Sequence, residues 1–65
     1  MTFTIEFDRE TDGRFIAEVP ELPGVLAYGA THDEARLLVI QLAHETIADM
    51  VIHGEITFVE RTVAA

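Results

Sequence analysis

The chain has 65 residues and no cysteine, so it holds one domain with a thin core, stapled neither by a disulfide nor by a thiolate metal site. Twelve acids against four bases give a formal charge of −8; lysine is absent, and the arginines (Arg9, Arg14, Arg36, Arg61) are scattered, which excludes the clustered cations that phosphate-backbone binding requires. A hydrophobic content of 49% excludes a disordered chain, and a small apolar chain without staples commonly gains stability by oligomerising.

Phe3, Ile5 and Phe7 alternate with Thr4, Glu6 and Asp8, the period of a strand with one buried face. Met1 to Glu6 lacks the basic start and apolar run of a signal peptide, so the expected location is the cytoplasm. Asp12-Gly13 follows between apolar alternations and predicts a hairpin, because glycine takes φ > 0 without penalty. Phe15, Ala17 and Val19 then form the inward face of a second strand. Pro20 and Pro23 remove amide donors, so Pro20, Glu21, Leu22, Pro23 and Gly24 form a stiff connector anchored by Leu22. A connector that loses little entropy on binding is also a candidate recognition loop. Val25, Leu26, Ala27 and Tyr28 make a short third strand ended by Gly29.

Thr31 and Glu34 predict a capping box, with Asp33 and Glu34 at the positive end of the helix dipole. No Gly or Pro interrupts residues 32–53, and Gly54 supplies a stop, so a helix of about 22 residues is expected. Its longest uninterrupted apolar run, Leu37 to Ile40, is far below the ~20 residues of a membrane span. Ile56, Thr57, Phe58 and Val59 form a last strand, and residues 60–65 read as a frayed tail. Strand, strand, strand, helix, strand is a two-layer α+β domain covering residues 1–65, with one long helix on a mostly antiparallel sheet and the last strand laid parallel to its neighbour by the crossover.

At 100° per residue, Ala35, Leu38, Val39, Leu42, Ala43, Thr46 and Met50 share the face that docks on the sheet. Leu37, Ile40, His44, Ile47 and Val51 lie roughly opposite. Single apolar residues are often partly exposed, but large aliphatics spaced along one helix face make a contiguous patch. We take this second stripe as an interface between copies in a dimer or tetramer.

Other chemistry finds little support. Asp8, Glu10 and Asp12 before Gly13 resemble the first half of a calcium loop, yet the twelfth position falls on Val19 where a bidentate Glu is required. His32, His44 and His53 are spaced by twelve and nine residues, which on a helix separates them by more than about 13 Å along the axis. One metal ion cannot reach all three. Cys, Lys and Ser are absent, and no remaining nucleophile lies beside an activating base. A metal-dependent nuclease built from Glu6 or Asp8, Glu45 and Glu60 is the one enzyme alternative, and acids are numerous enough here for such a triple to arise by chance. No catalytic residue, cofactor or metal ligand is therefore assigned.

Residues 12–25, Asp-Gly-Arg-Phe-Ile-Ala-Glu-Val-Pro-Glu-Leu-Pro-Gly-Val, resemble the D-G-x-[FYW]-x-A-x-x-P-[DE]-[LF]-P-G-[CV] stretch of the HicB-like antitoxin family. Residues 28–35, Tyr-Gly-Ala-Thr-His-Asp-Glu-Ala, resemble the G-x-T-x-x-E-A lead into that family's helix. The resemblance implies a degenerate ribonuclease H-like β-β-β-α-β fold. It also implies a toxin–antitoxin pair in which this chain caps a small basic RNA-cleaving toxin of HicA type. Pro20, Glu21, Leu22, Pro23, Gly24 and Tyr28 belong to the family signature and are the partner-binding candidates. Two departures stand out: the DNA-binding domain that many members carry after this one does not follow before Ala65, and the family's proline-containing segment after the helix is replaced by residues 54–58. The expected role is that of a short stand-alone member that does not bind nucleic acid by itself. The alternative is a structural or regulatory homo-oligomer with no toxin.

Overall fold

The computed structural model describes residues 1–50 and 54–62. Its elements are β1 (Thr2–Arg9), β2 (Phe15–Glu18), β3 (Leu26–Gly29), α1 (His32–Ala48) and β4 (Thr57–Thr62), an α+β architecture. The four strands form one mixed sheet in the order β3-β2-β1-β4. β1 runs antiparallel to β2, β2 antiparallel to β3, and β4 parallel to β1, as the helical crossover requires. Val51, Ile52, His53 and residues 63–65 lie outside the described residues.

The period-two pattern builds the core as expected. Phe3, Ile5 and Phe7 of β1 are buried against α1, together with Ala17, Val19, Leu22 and Val25. Each large apolar side chain so buried contributes about 1.5–3 kcal/mol. The hairpin closes at Gly13 with φ 91°; the Gly13 amide donates to the Glu10 carbonyl at 3.0 Å and the Glu10 amide to the Arg14 carbonyl at 2.8 Å.

The helix departs from expectation in three ways. It ends at Ala48 with 17 residues instead of about 22, closing through amides of Asp49 and Met50 that donate to carbonyls three residues back. The capping box is half shifted: Thr31 Oγ1 accepts from the Glu34 amide at 3.1 Å, but Glu34 Oε1 reaches the amide of Ala30 at 3.2 Å, one residue earlier than predicted. The buried row is Ala35, Val39, Ala43 and Ile47, so the predicted faces are rotated. An i, i+4 row drifts by about 40° per step and runs oblique to the axis, and a twisted sheet follows that oblique row. A helical wheel projects away position along the axis, so a face read from it is taken as parallel to the axis. Ile47, placed in the outer stripe, is 6% exposed in the core, whereas Leu38, placed on the docking face, is 43% exposed.

The supposed tail is also corrected. Glu60, Arg61 and Thr62 extend β4 in register with Ile5, Glu6 and Phe7. The Thr57 amide donates to the Met1 carbonyl at 2.9 Å and starts this pairing. No described helix is long and apolar enough to cross a membrane.

Candidate functional site

One helix covers one face of the sheet. The alternate residues of each strand therefore stand on a face that no described element covers, and register arranges them in rows. Arg61, Glu6, Glu18 and Leu26 form one row across β4, β1, β2 and β3; Asp8, Ile16 and Tyr28 form the next. Glu6, Asp8, Glu10, Ile16 and Glu18 line an open trough of about 200 Å³. Like charges directly opposite across a strand pair repel, as Glu6 and Glu18 do. Arg61, beside Glu6 on β4, ion-pairs with the Glu6 carboxylate and partly offsets this. Among the described residues Asp8, Glu10 and Glu18 have no cationic side chain within ion-pair distance. Alternation in β1 makes the outward aim of Glu6 and Asp8 legible in sequence. Their meeting with Glu18 depends on hairpin register.

The connector between β2 and β3 is held at both ends. Leu22 is buried, its amide donates to the Val19 carbonyl and its carbonyl accepts from the Val25 amide, both at 3.0 Å. Gly24 takes φ 85°, which a side chain would strain. The Glu21 carboxylate accepts from the Thr4 amide at 3.0 and 3.1 Å and from Thr4 Oγ1 at 2.8 Å. It thus caps a β1 donor that β2 leaves as it turns away at Pro20. Burial acts to raise the Glu21 pKa, but the hydrogen bonds from Thr4 and from its own amide outweigh it, and the carboxyl lies below its ordinary value. Of the partner-binding candidates, Pro20, Glu21, Pro23, Gly24 and Tyr28 are exposed, whereas Leu22 is a core anchor. Tyr28 stands on the open face with the Arg14 guanidinium 4.8 Å above its ring.

The predicted self-association stripe is dispersed. Leu37 remains outward at 69% exposed, Ile40 packs against the core, and Ile47 lies within it. His44 turns its ring edge to Phe58 of β4, 5.6 Å between centroids. Val51 lies outside the described residues.

The carboxylates of the nuclease alternative are not assembled. Glu6 and Asp8 line the open face, while Glu60 is on the helix side, where Arg36 Nη2 donates to its Oε1 at 2.9 Å. Arg36 Nε lies 2.9 Å from Glu60 Oε2 as a charge contact without hydrogen-bond geometry. Arg36 also holds Asp33 at 2.7 Å, and the Glu60 hydrogen bond, helped by both negative charges, raises its pKa against the effect of burial. Glu45 is exposed on α1. Asp12 of the calcium-like segment is spent on the hairpin: its Oδ1 accepts from the Arg14 amide at 3.1 Å and its Oδ2 from Arg14 Nε at 2.8 Å. The backbone bond from Arg14 leads in lowering the Asp12 pKa. His32 stacks on Phe7 at 3.9 Å, on the helix side of the sheet. Among the described residues no group of three or more His, Asp or Glu could hold a metal ion.

The class of molecule this geometry defines is a small α+β domain presenting an acidic sheet face. No family model, no curated protein and no solved structure matches the chain.

Proposed function

We propose that this chain is a HicB-like, antitoxin-type binding module that neutralises a small basic RNA-cleaving protein in the cytoplasm by covering its RNA-binding surface. The observation that carries the reading is the gathering of Glu6, Asp8, Glu10 and Glu18 on the one sheet face that α1 leaves uncovered. A surface evolved to hold RNA is basic, and an acidic face on a chain of charge −8 steers such a surface in and disfavours wrong partners. The β-β-β-α-β order, with β4 parallel to β1, is compatible with the degenerate ribonuclease H-like fold that the motifs over residues 12–35 imply. The module acts by occlusion, without a catalytic residue or cofactor of its own.

The test is to look for a short basic reading frame beside the gene and to co-express its product with this chain, followed by an RNA-cleavage assay; the absence of such a frame counts against the role. The expected result is a stoichiometric complex, suppressed cleavage, and an association rate that falls about tenfold or more between low and high salt. Unimpeded cleavage with the chain in molar excess refutes the role. The exposure of Leu37 and Leu38 on α1 supports a second reading, a stand-alone homo-oligomer.

A further inference from the structure

Two of the chain's own arginines already lie on the open face. Arg61 pairs with Glu6 there, and the Arg14 guanidinium lies over Tyr28 at 4.8 Å. The face therefore takes planar cations in two ways, on a carboxylate and on an aromatic ring. Asp8, Glu10 and Glu18 remain without a cation among the described residues, and exposed Leu26 and Tyr28 stand on β3 along their margin, in the rows of Glu18 and Ile16. Acids with an apolar margin on β3 are complementary to a helix that carries arginines along one line and leucine-like residues beside them. A strand would instead pair at the edge of β3 or β4, where the acids do not gather. A helix packs on a sheet face as a further layer, the geometry α1 already uses on the other side.

We infer that the open sheet face seats an arginine-bearing amphipathic helix of the partner protein, with its guanidinium groups on Asp8, Glu10 and Glu18 and its apolar margin on Leu26 and Tyr28. This rests on the binding role proposed above and adds the element of the partner that docks. A second copy is the wrong occupant, because stacking two such faces sets Glu6, Asp8, Glu10 and Glu18 against acids. Arginine suits the site better than lysine: Asp8 and Glu18 are diagonal neighbours across β1 and β2, roughly 7 Å apart, and the several donors of a planar guanidinium can engage both carboxylates where a point charge engages one.

The experiment uses the full chain, isotope-labelled for NMR, titrated with a synthetic amphipathic peptide of Arg, Leu and Ala about five helical turns long. The comparison peptides are a scrambled sequence of the same composition and a version with Lys for Arg. The expected result is amide shifts centred on Glu6, Asp8, Ile16, Glu18 and Tyr28, with about tenfold weaker binding of the scrambled peptide and a smaller loss with lysine. Asp8→Asn with Glu18→Gln is expected to weaken binding about tenfold; these exposed changes relieve repulsion, and circular dichroism verifies the fold. Shifts centred on Leu37, Gln41 and Glu45 overturn the inference. So do equal affinity for the scrambled peptide, an unaffected double variant, and no binding by any peptide. If the double variant still neutralises the adjacent basic protein as wild type does, the binding role stands and this face falls. If the peptide maps here but no basic protein is neutralised, the face stands and the antitoxin role falls.

Discussion

Replacing Gly29 with alanine probes the closest approach between the helix and the sheet. A Cβ on Gly29 would lie 2.4 Å from the Ala35 amide nitrogen and 3.0 Å from both Ala35 Cα and the Glu34 carbonyl carbon. All three are backbone atoms, so no rotamer change relieves the contact, and the first turn of α1 must move off β3. Overpacking of this kind costs about 1–3 kcal/mol, while the alanine returns about 0.5 kcal/mol by restricting the unfolded chain. The expected net loss is roughly 1.5 kcal/mol, a fall in Tm of about 6–12 °C for a domain of this size. Gly13→Ala is the comparison. Gly13 has φ 91° and open space around its Cα, so the substitution meets backbone strain of only about 1 kcal/mol. Urea and thermal unfolding followed by circular dichroism measure both. Because the obstruction is backbone, Ala35→Gly must not rescue Gly29→Ala. A Gly29→Ala loss smaller than that of Gly13→Ala, or rescue by Ala35→Gly, refutes the reasoning.

Ile47→Glu places a charge in the core and is expected to unfold the chain at a cost of about 3–5 kcal/mol, whereas exposed Leu37→Glu changes stability by less than about 0.5 kcal/mol. If the homo-oligomer reading holds, sizing with light scattering shows Leu37→Glu with Leu38→Glu as a folded monomer; an unchanged mass removes α1's outer face from any interface. The lowered Glu21 pKa means that its contribution is present above the unfolded carboxyl value near 4.5 and is lost as pH falls through the lower folded value. Hydrogen exchange at the Thr4 amide should therefore accelerate at acid pH relative to its neighbours, and Glu21→Gln should remove that extra dependence. Arg36→Gln should speed exchange in β4 around Glu60 without altering the hairpin around Gly13; equal effects on both would mean that Arg36 does not tie α1 to β4.

Local chemistry was readable from the residues themselves. The alternation of Phe3, Ile5 and Phe7 against Thr4, Glu6 and Asp8 determines a one-sided strand, because side chains alternate whatever lies beside them. Asp12-Gly13 determines the hairpin tip and Thr31 the helix start, since each acts through neighbours in the chain. Leu22 was legible as an anchor for the same reason. The four-stranded order and the extent of β4 were not, because Glu60, Arg61 and Thr62 are polar and become strand only by pairing with β1, more than fifty residues earlier.

The division is the same for the site. The sequence by itself determined a small acidic domain with a stiff proline connector, and placed Glu6 and Asp8 on the side of β1 away from the core. Tertiary structure alone decided that Glu18 joins them, that Glu60 is on the other face under Arg36, and that Ile47 belongs to the core. It also decided that Gly29 is needed for close packing against Ala35 rather than for a turn. The physical reason is that each of these depends on register across strands or on the oblique path of α1 over a twisted sheet. No local period encodes either one.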